Sequence, residues 1–147
     1  RQSGLLKPSI NNSHILGSSI SIPYFYAKSQ NKDFTFTPTL FNKNIQMLQT
    51  EYREVGKNYN LITDFGLTKG YKSSSSKKEK NLNHFFARYD LNLNFENFLS
   101  SKFYLLSERV SNDTYLKVFD ANISNNEVRP KNFDVLSNEI KLIWVFL

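Results

Sequence analysis

The sequence predicts an all-β protein built as an antiparallel up-and-down meander. Two observations in the chain carry that prediction. Apolar residues recur at every second position, the spacing that lines one face of a strand, whereas a helix would scatter them around its circumference. The alternating runs are separated by clusters of Asn, Ser, Gly and Lys, the residues that favour turns.

Taken in order, the first clear run places Ile20, Ile22, Tyr24 and Tyr26 on one face and Ser19, Ser21, Pro23 and Phe25 on the other. Phe34, Phe36 and Leu40 then alternate with Thr35, Thr37 and Thr39, with Pro38 in the apolar row. Leu48, Thr50 and Tyr52 oppose Gln49, Glu51 and Arg53. From Tyr59 the row Tyr59, Leu61, Thr63, Phe65 and Leu67 opposes Asn60, Ile62, Asp64, Gly66 and Thr68. The cleanest run sets Phe85, Ala87, Tyr89, Leu91, Leu93 and Phe95 against His84, Phe86, Arg88, Asp90, Asn92 and Asn94. Phe103 to Val110 is strand-like without a clean face.

Connections are expected near residues 12–15, 29–32, 42–44, 56–58, 71–81, 97–101 and 111–137. The two longest, the fifth and the seventh, fall on the same side of an up-and-down sheet. Asn81 to Phe95 and Lys57 to Lys69 each exceed the ~9–11 residues that cross a bilayer when tilted, and the ~5–6 residues usual in soluble sheets. Long strands with tight turns on one side and long polar loops on the other are the plan of an outer-membrane β-barrel. A soluble sandwich or meander with one face on a core shares the alternation and stays open at this point.

Composition narrows the classes further. A chain of 147 residues is one domain in size. With 13 Phe, 8 Tyr and 39% apolar residues it is too aromatic for a disordered chain. Its mean hydropathy of −0.48 and the absence of any run near ~20 apolar residues exclude helical membrane spans. The longest apolar run is Leu142–Leu147. The 18 Asn and 14 Lys reflect an AT-rich coding bias. The net charge of +6 suits nucleic acid, anionic lipid or a phosphorylated glycolipid equally. The chain opens on Arg1 and reads as a piece of a longer protein, while Ile143 to Leu147 reads as the product of a frameshift or truncation.

Signs of chemistry are missing. There is no cysteine, and His14 and His84 lie in separate segments without partners at ligand spacing, so neither a metal nor another cofactor is expected. No nucleophile elbow and no phosphate-binding glycine loop occurs, and an enzyme is not expected. Nucleic acid is not expected either. An oligonucleotide-binding sheet would put aromatics beside cations, yet Phe85, Tyr89 and Phe95 lie opposite Arg88.

Five short segments, in order, carry a resemblance. They are Arg1–Ser9 (RQSGLLKPS), Ser21–Phe25 (SIPYF), Asp33–Pro38 (DFTFTP), Met47–Arg53 (MLQTEYR) and Arg109–Tyr115 (RVSNDTY), followed by Asn132–Asn138 (NFDVLSN). Together they resemble the start of the β-barrel of the LptD family of LPS-assembly proteins, over Arg1 to Leu142. The resemblance implies that residues 1–147 form the N-terminal portion of such a barrel, with the periplasmic jelly-roll domain and the remaining strands absent. It implies the cell outer membrane of a Gram-negative bacterium as location, and insertion of lipopolysaccharide into the outer leaflet as task. The implied partners are lipopolysaccharide, an LptE-like plug lipoprotein and, through the missing jelly roll, the periplasmic LPS-bridge proteins.

Two site expectations follow. A hairpin turning between residues 15 and 16 sets Pro8 almost opposite Pro23, and proline is normally excluded from interior ladders because it lacks an N–H. The resemblance carries Pro8 and Pro23 to one side of a lateral gate, where lipid leaves sideways between the first and last strands of the barrel; an ordinary strand-end role is the alternative. On the polar faces, Arg53 and Arg88 are candidate lumen-facing phosphate contacts for lipopolysaccharide, the alternative being a solvated face whose charges pair with each other. Lys77, Lys78 and Lys80 are expected in an outward loop. The competing reading of the whole chain is a stand-alone soluble β-sandwich used for binding or adhesion.

Overall fold

A computed structural model describes residues 1–76 and 78–146; Lys77 and Leu147 lie outside the described residues. Ten strand segments join in one antiparallel sheet. The first strand consists of β1 (Gly4–Leu5) and β2 (Ser9–Ser13), and the second of β3 (Gly17–Ser21) and β4 (Tyr24–Ser29). Both are interrupted at a proline, Pro8 and Pro23. Six uninterrupted strands follow: β5 (Lys32–Phe41), β6 (Gln46–Val55), β7 (Tyr59–Tyr71), β8 (Lys80–Asn92), β9 (Phe98–Val110) and β10 (Asn138–Phe146). Each pairs with its neighbours in sequence, so the sheet is the meander that the alternation predicts, left open between its first and last strands.

Boundaries follow the sequence closely, with one exception. The turn expected at 97–101 instead occupies 93–97, and β8 ends before Phe95. Asn94 takes a left-handed backbone (φ 53°), a conformation asparagine tolerates better than most residues. Ser101 then ties off the bend, its carbonyl accepting from Leu93 N–H at 2.8 Å and its hydroxyl from Phe95 N–H at 3.1 Å. The alternation of Leu93 and Phe95 therefore continues past the strand into the turn. At the far end β10 pairs with β9 over Asn138 to Phe146 although its sequence does not alternate. It is an edge strand, and both of its faces are largely open.

Register decides which rows share a face, because residues paired across strands project to the same side. One face carries the rows Phe36–Thr50–Phe65–Phe85 and Pro38–Leu48–Leu67. The other carries Thr37–Gln49–Gly66–His84 and Thr35–Glu51–Asp64–Phe86. The first face is exposed: Phe65 and Phe85 retain 41% and 39% of their surface, and Leu40, Leu48 and Leu67 are also open. The second is buried, with Asp64 and His84 fully inaccessible and Gln49 nearly so. The apolar rows thus face outward, while the polar rows, interspersed with Met47, Ile62, Leu82 and Phe86, lie within.

The segment from 111 to 137 covers the polar face. It contains one helical turn, α1 (Tyr115–Val118), and lays Tyr115, Leu116, Phe119, Ile123 and Val128 against Phe41, Ile45, Met47, Ile62, Tyr71, Leu82 and Phe86 of the sheet. This is the main apolar core. Expected as a long polar loop, the segment is instead a folded lid on the inner face. Tyr115, Phe119 and Ile123 recur every four residues, a helical stripe that an open polar loop has no use for.

Candidate functional site

Three features of the inner face and the first strands carry chemistry or mechanics: the proline-bearing ladders, the arginine row, and the polar floor under the 111–137 segment.

The first hairpin turns through His14, Ile15 and Leu16, with Ser13 paired to Gly17. Ser13 Oγ accepts from the Ile15 and Leu16 N–H groups, and Gly17 takes a left-handed backbone (φ 76°), as three-residue hairpin loops require. An odd loop centres the ladder on Ile15 rather than between Ile15 and Leu16. Continuing from the Ser9–Ser21 pair, Pro8 then faces Ile22, one residue short of the expected Pro23.

Below that level the register shifts. Leu6 N–H donates to the Pro23 carbonyl at 2.8 Å, and Gly4 pairs with Phe25. Two residues, Lys7 and Pro8, therefore lie against the single Ile22, which makes a bulge. Pro23 has no N–H with which to return the bond to Leu6. The structure thus brings Pro8 and Pro23 to one level of the first two strands, at the end away from the hairpin turn. It also adds Pro38, from the apolar row of β5. Ile22 N–H donates to the Pro38 carbonyl at 3.1 Å, and Pro38 likewise has nothing to donate in return. The signal for it was available: Pro8, Pro23 and Pro38 recur at intervals of fifteen residues.

Arg53 and Arg88 sit on the inner face in one cross-strand row, both in register with Ile62. Each is already engaged. Arg53 Nε meets Asp33 Oδ1 at 2.9 Å and Glu51 Oε1 at 3.3 Å, while Arg1 pairs with the second oxygen of the buried Asp33. Arg88 bonds Asp90 at 3.1 Å and, through Nη2, Glu127 of the covering segment at 2.7 Å. Beside Arg88, a recess is bordered by Asn126, Glu127, Arg129, Lys131 and Phe133. The Arg129 guanidinium closes back on Asp120 and on the Ile123 carbonyl.

Side chains of the floor hold the segment down. Gln49 donates to the Asn122 carbonyl at 2.7 Å and accepts from Ser124 N–H at 2.9 Å. Asn122 reaches Ser19 at 2.9 Å, and Asn126 donates to both Glu51 and Asp64 at 2.9 and 2.8 Å. Deepest lies His84, with Nδ1 2.7 Å from the Tyr115 hydroxyl and Nε2 3.1 Å from Asp64 Oδ1. Burial pushes the Tyr115 phenol up, away from ionisation. His84, whose row on β8 opposes the apolar one, is a roofed-over member of this network. His14 is exposed in the hairpin turn.

The fold and the site define a class: an antiparallel meander that turns an apolar face outward and keeps a polar face within. Comparison with known proteins finds sequence relatives that carry the name LPS-assembly protein LptD. The chain is 30% identical over 131 residues, 88% of its length, to the LPS-assembly protein LptD of Cupriavidus necator. It is 30% identical over 125 residues to the protein of that name from Nitrosomonas eutropha, and 37% identical over 59 residues to that of Albidiferax ferrireducens. These matches cover 15%, 16% and 7% of the relatives, so the chain spans no more than about a sixth of their length. No family model matches it.

Proposed function

We propose that this chain forms the N-terminal part of the wall of an outer-membrane β-barrel that takes part in assembling lipopolysaccharide, by transport and without catalysis. The observation that carries the reading is the inverted sheet. Phe65, Phe85, Leu48 and Leu67 stay open on the outer face, while Asp64, His84 and Gln49 are buried on the inner one. A lipid bath outside and a polar interior make that arrangement favourable; water on the outer face does not. Relatives named for LPS assembly support the choice of cargo.

Within this reading the bulge at Lys7–Pro8 and the missing donor of Pro23 loosen the ladder between strands one and two, so that these strands form one side of a lateral gate. In lipid each lost backbone bond costs on the order of several kcal/mol, so such a fault is tolerated only where the sheet has to part. Lipopolysaccharide passes on the polar side, with Arg53 and Arg88 able to exchange a carboxylate partner for a phosphate. A plug lipoprotein and the periplasmic bridge proteins would complete the machine. A soluble adhesion sandwich is disfavoured by the uncovered outer face.

Refolding the chain with and without lipid vesicles tests the proposal. The expected result is β-structure that forms in, and floats with, the vesicles. A monodisperse, folded monomer in plain buffer that ignores the vesicles would overturn it.

A further inference from the structure

We propose that Pro38 is a positioning residue of the gate, and that the unit which yields is the whole first hairpin, strands one and two together, hinged against β5. The inference rests on the lateral-gate reading given above. In an antiparallel ladder, hydrogen-bonded and non-hydrogen-bonded pairs alternate, so each residue directs its N–H and C=O to one neighbour only. Pro23 directs its carbonyl to Leu6, in strand one, and Pro38 directs its carbonyl to Ile22, in strand two. Each of the first two ladders therefore lacks one donor, and the two gaps lie side by side with the Lys7–Pro8 bulge.

The third ladder escapes. Pro38 turns its bonding groups away from β6, so its pair with Leu48 is of the non-bonded kind and loses nothing. β5 and β6 stay in unbroken register from Lys32–Glu54 to Leu40–Gln46. The fault thus begins at the free edge and ends at β5. Loosening strand one alone, at its side of the gate, needs only the bulge and Pro23. The weakness at Pro38 has a use only if strand two also shifts against β5.

Residue-resolved hydrogen exchange of the chain refolded in detergent micelles tests this. The Ile22 amide should exchange at least about tenfold faster than the amides of the Tyr89–Leu105 pair, whose β8–β9 ladder lies equally far from the opposite edge. Pro38→Ala supplies the missing N–H and should slow Ile22 by about tenfold, while Pro130→Ala, outside the sheet, leaves it unchanged. An Ile22 amide as slow as the Tyr89–Leu105 pair in the unaltered chain overturns the proposal, and this comparison decides even if Pro38→Ala fails to fold. So does an Ile22 amide that Pro38→Ala does not slow. The Leu6 amide separates the two readings. If Leu6 exchanges faster than the β9–β10 ladder while Ile22 is protected, the hinge at Pro38 fails and the gate of Pro8 and Pro23 stands. If Leu6 is as protected as the β9–β10 ladder, the gate falls with it.

Discussion

Gly66 and His84 face each other across the β7–β8 ladder, and a methyl group at Gly66 would lie 2.2 Å from the imidazole. His84 has no room to retreat, because Tyr115 and Asp64 hold both ring nitrogens. Gly66→Ala should therefore act through His84, destabilising the protein by about 1–3 kcal/mol as an overpacked site. His84→Ala should cost about 2–5 kcal/mol, since it leaves the Asp64 carboxylate and the Tyr115 hydroxyl buried with fewer partners. Denaturant titration of the detergent-refolded protein measures both. Tyr115 adds a pH dependence. The unfolded chain loses the phenolic proton near pH ~10, whereas the folded state holds it to higher pH. Its contribution is complete below that pH and falls by up to ~1.4 kcal/mol per pH unit above it. Tyr115→Phe should remove this alkaline slope, which unfolding midpoints between neutral and strongly alkaline pH would reveal.

At the scale of the element, a strand's two faces are the unit of argument. Phe85 and Phe86 are neighbours in β8, yet Phe85 is open on the outer face and Phe86 has no exposed surface under α1. Phe85→Lys should cost about 2–4 kcal/mol if the outer face lies in hydrocarbon, and less than about 0.5 kcal/mol if it lies in water. The refolding equilibrium in vesicles, compared between the two proteins, reads the difference directly. The 111–137 segment is the other decisive element. Its Asn122, Ser124 and Asn126 contacts and its apolar side chains make it part of the wall's inner lining. Replacing it with a short turn should expose Met47, Ile62 and Leu82 and make the sheet sensitive to proteolysis.

For the whole molecule, the open sheet leaves two unpaired edges and a continuous outer belt of aromatic and aliphatic side chains. Bare edges and large apolar patches drive association in water. Purification without detergent should therefore give aggregates, and detergent should give a monodisperse species, as sedimentation or scattering would show. The same inversion made the fold legible beforehand. Alternation identified strand two and β5 to β8, with the odd-numbered apolar row of β8, because strand periodicity is local, while β10, which does not alternate, left no such mark. The one-residue offset of Pro8 from Pro23 was not legible, since it depends on the odd length of the loop held by Ser13.

By itself the sequence determined the all-β meander, the division of strand two and β5 to β8 into an apolar and a polar row, and the side on which the long connections fall. All three follow from local backbone geometry and from turn-forming residues. Only the tertiary structure decided what covers the polar row. Gln49, Asp64 and His84 find Asn122, Asn126 and Tyr115 across separations of 73, 62 and 31 residues, and no local pattern records such pairings. It also decided that Pro38 joins Pro8 and Pro23, because the direction of a carbonyl is set by ladder register, a relation between strands that no strand carries alone.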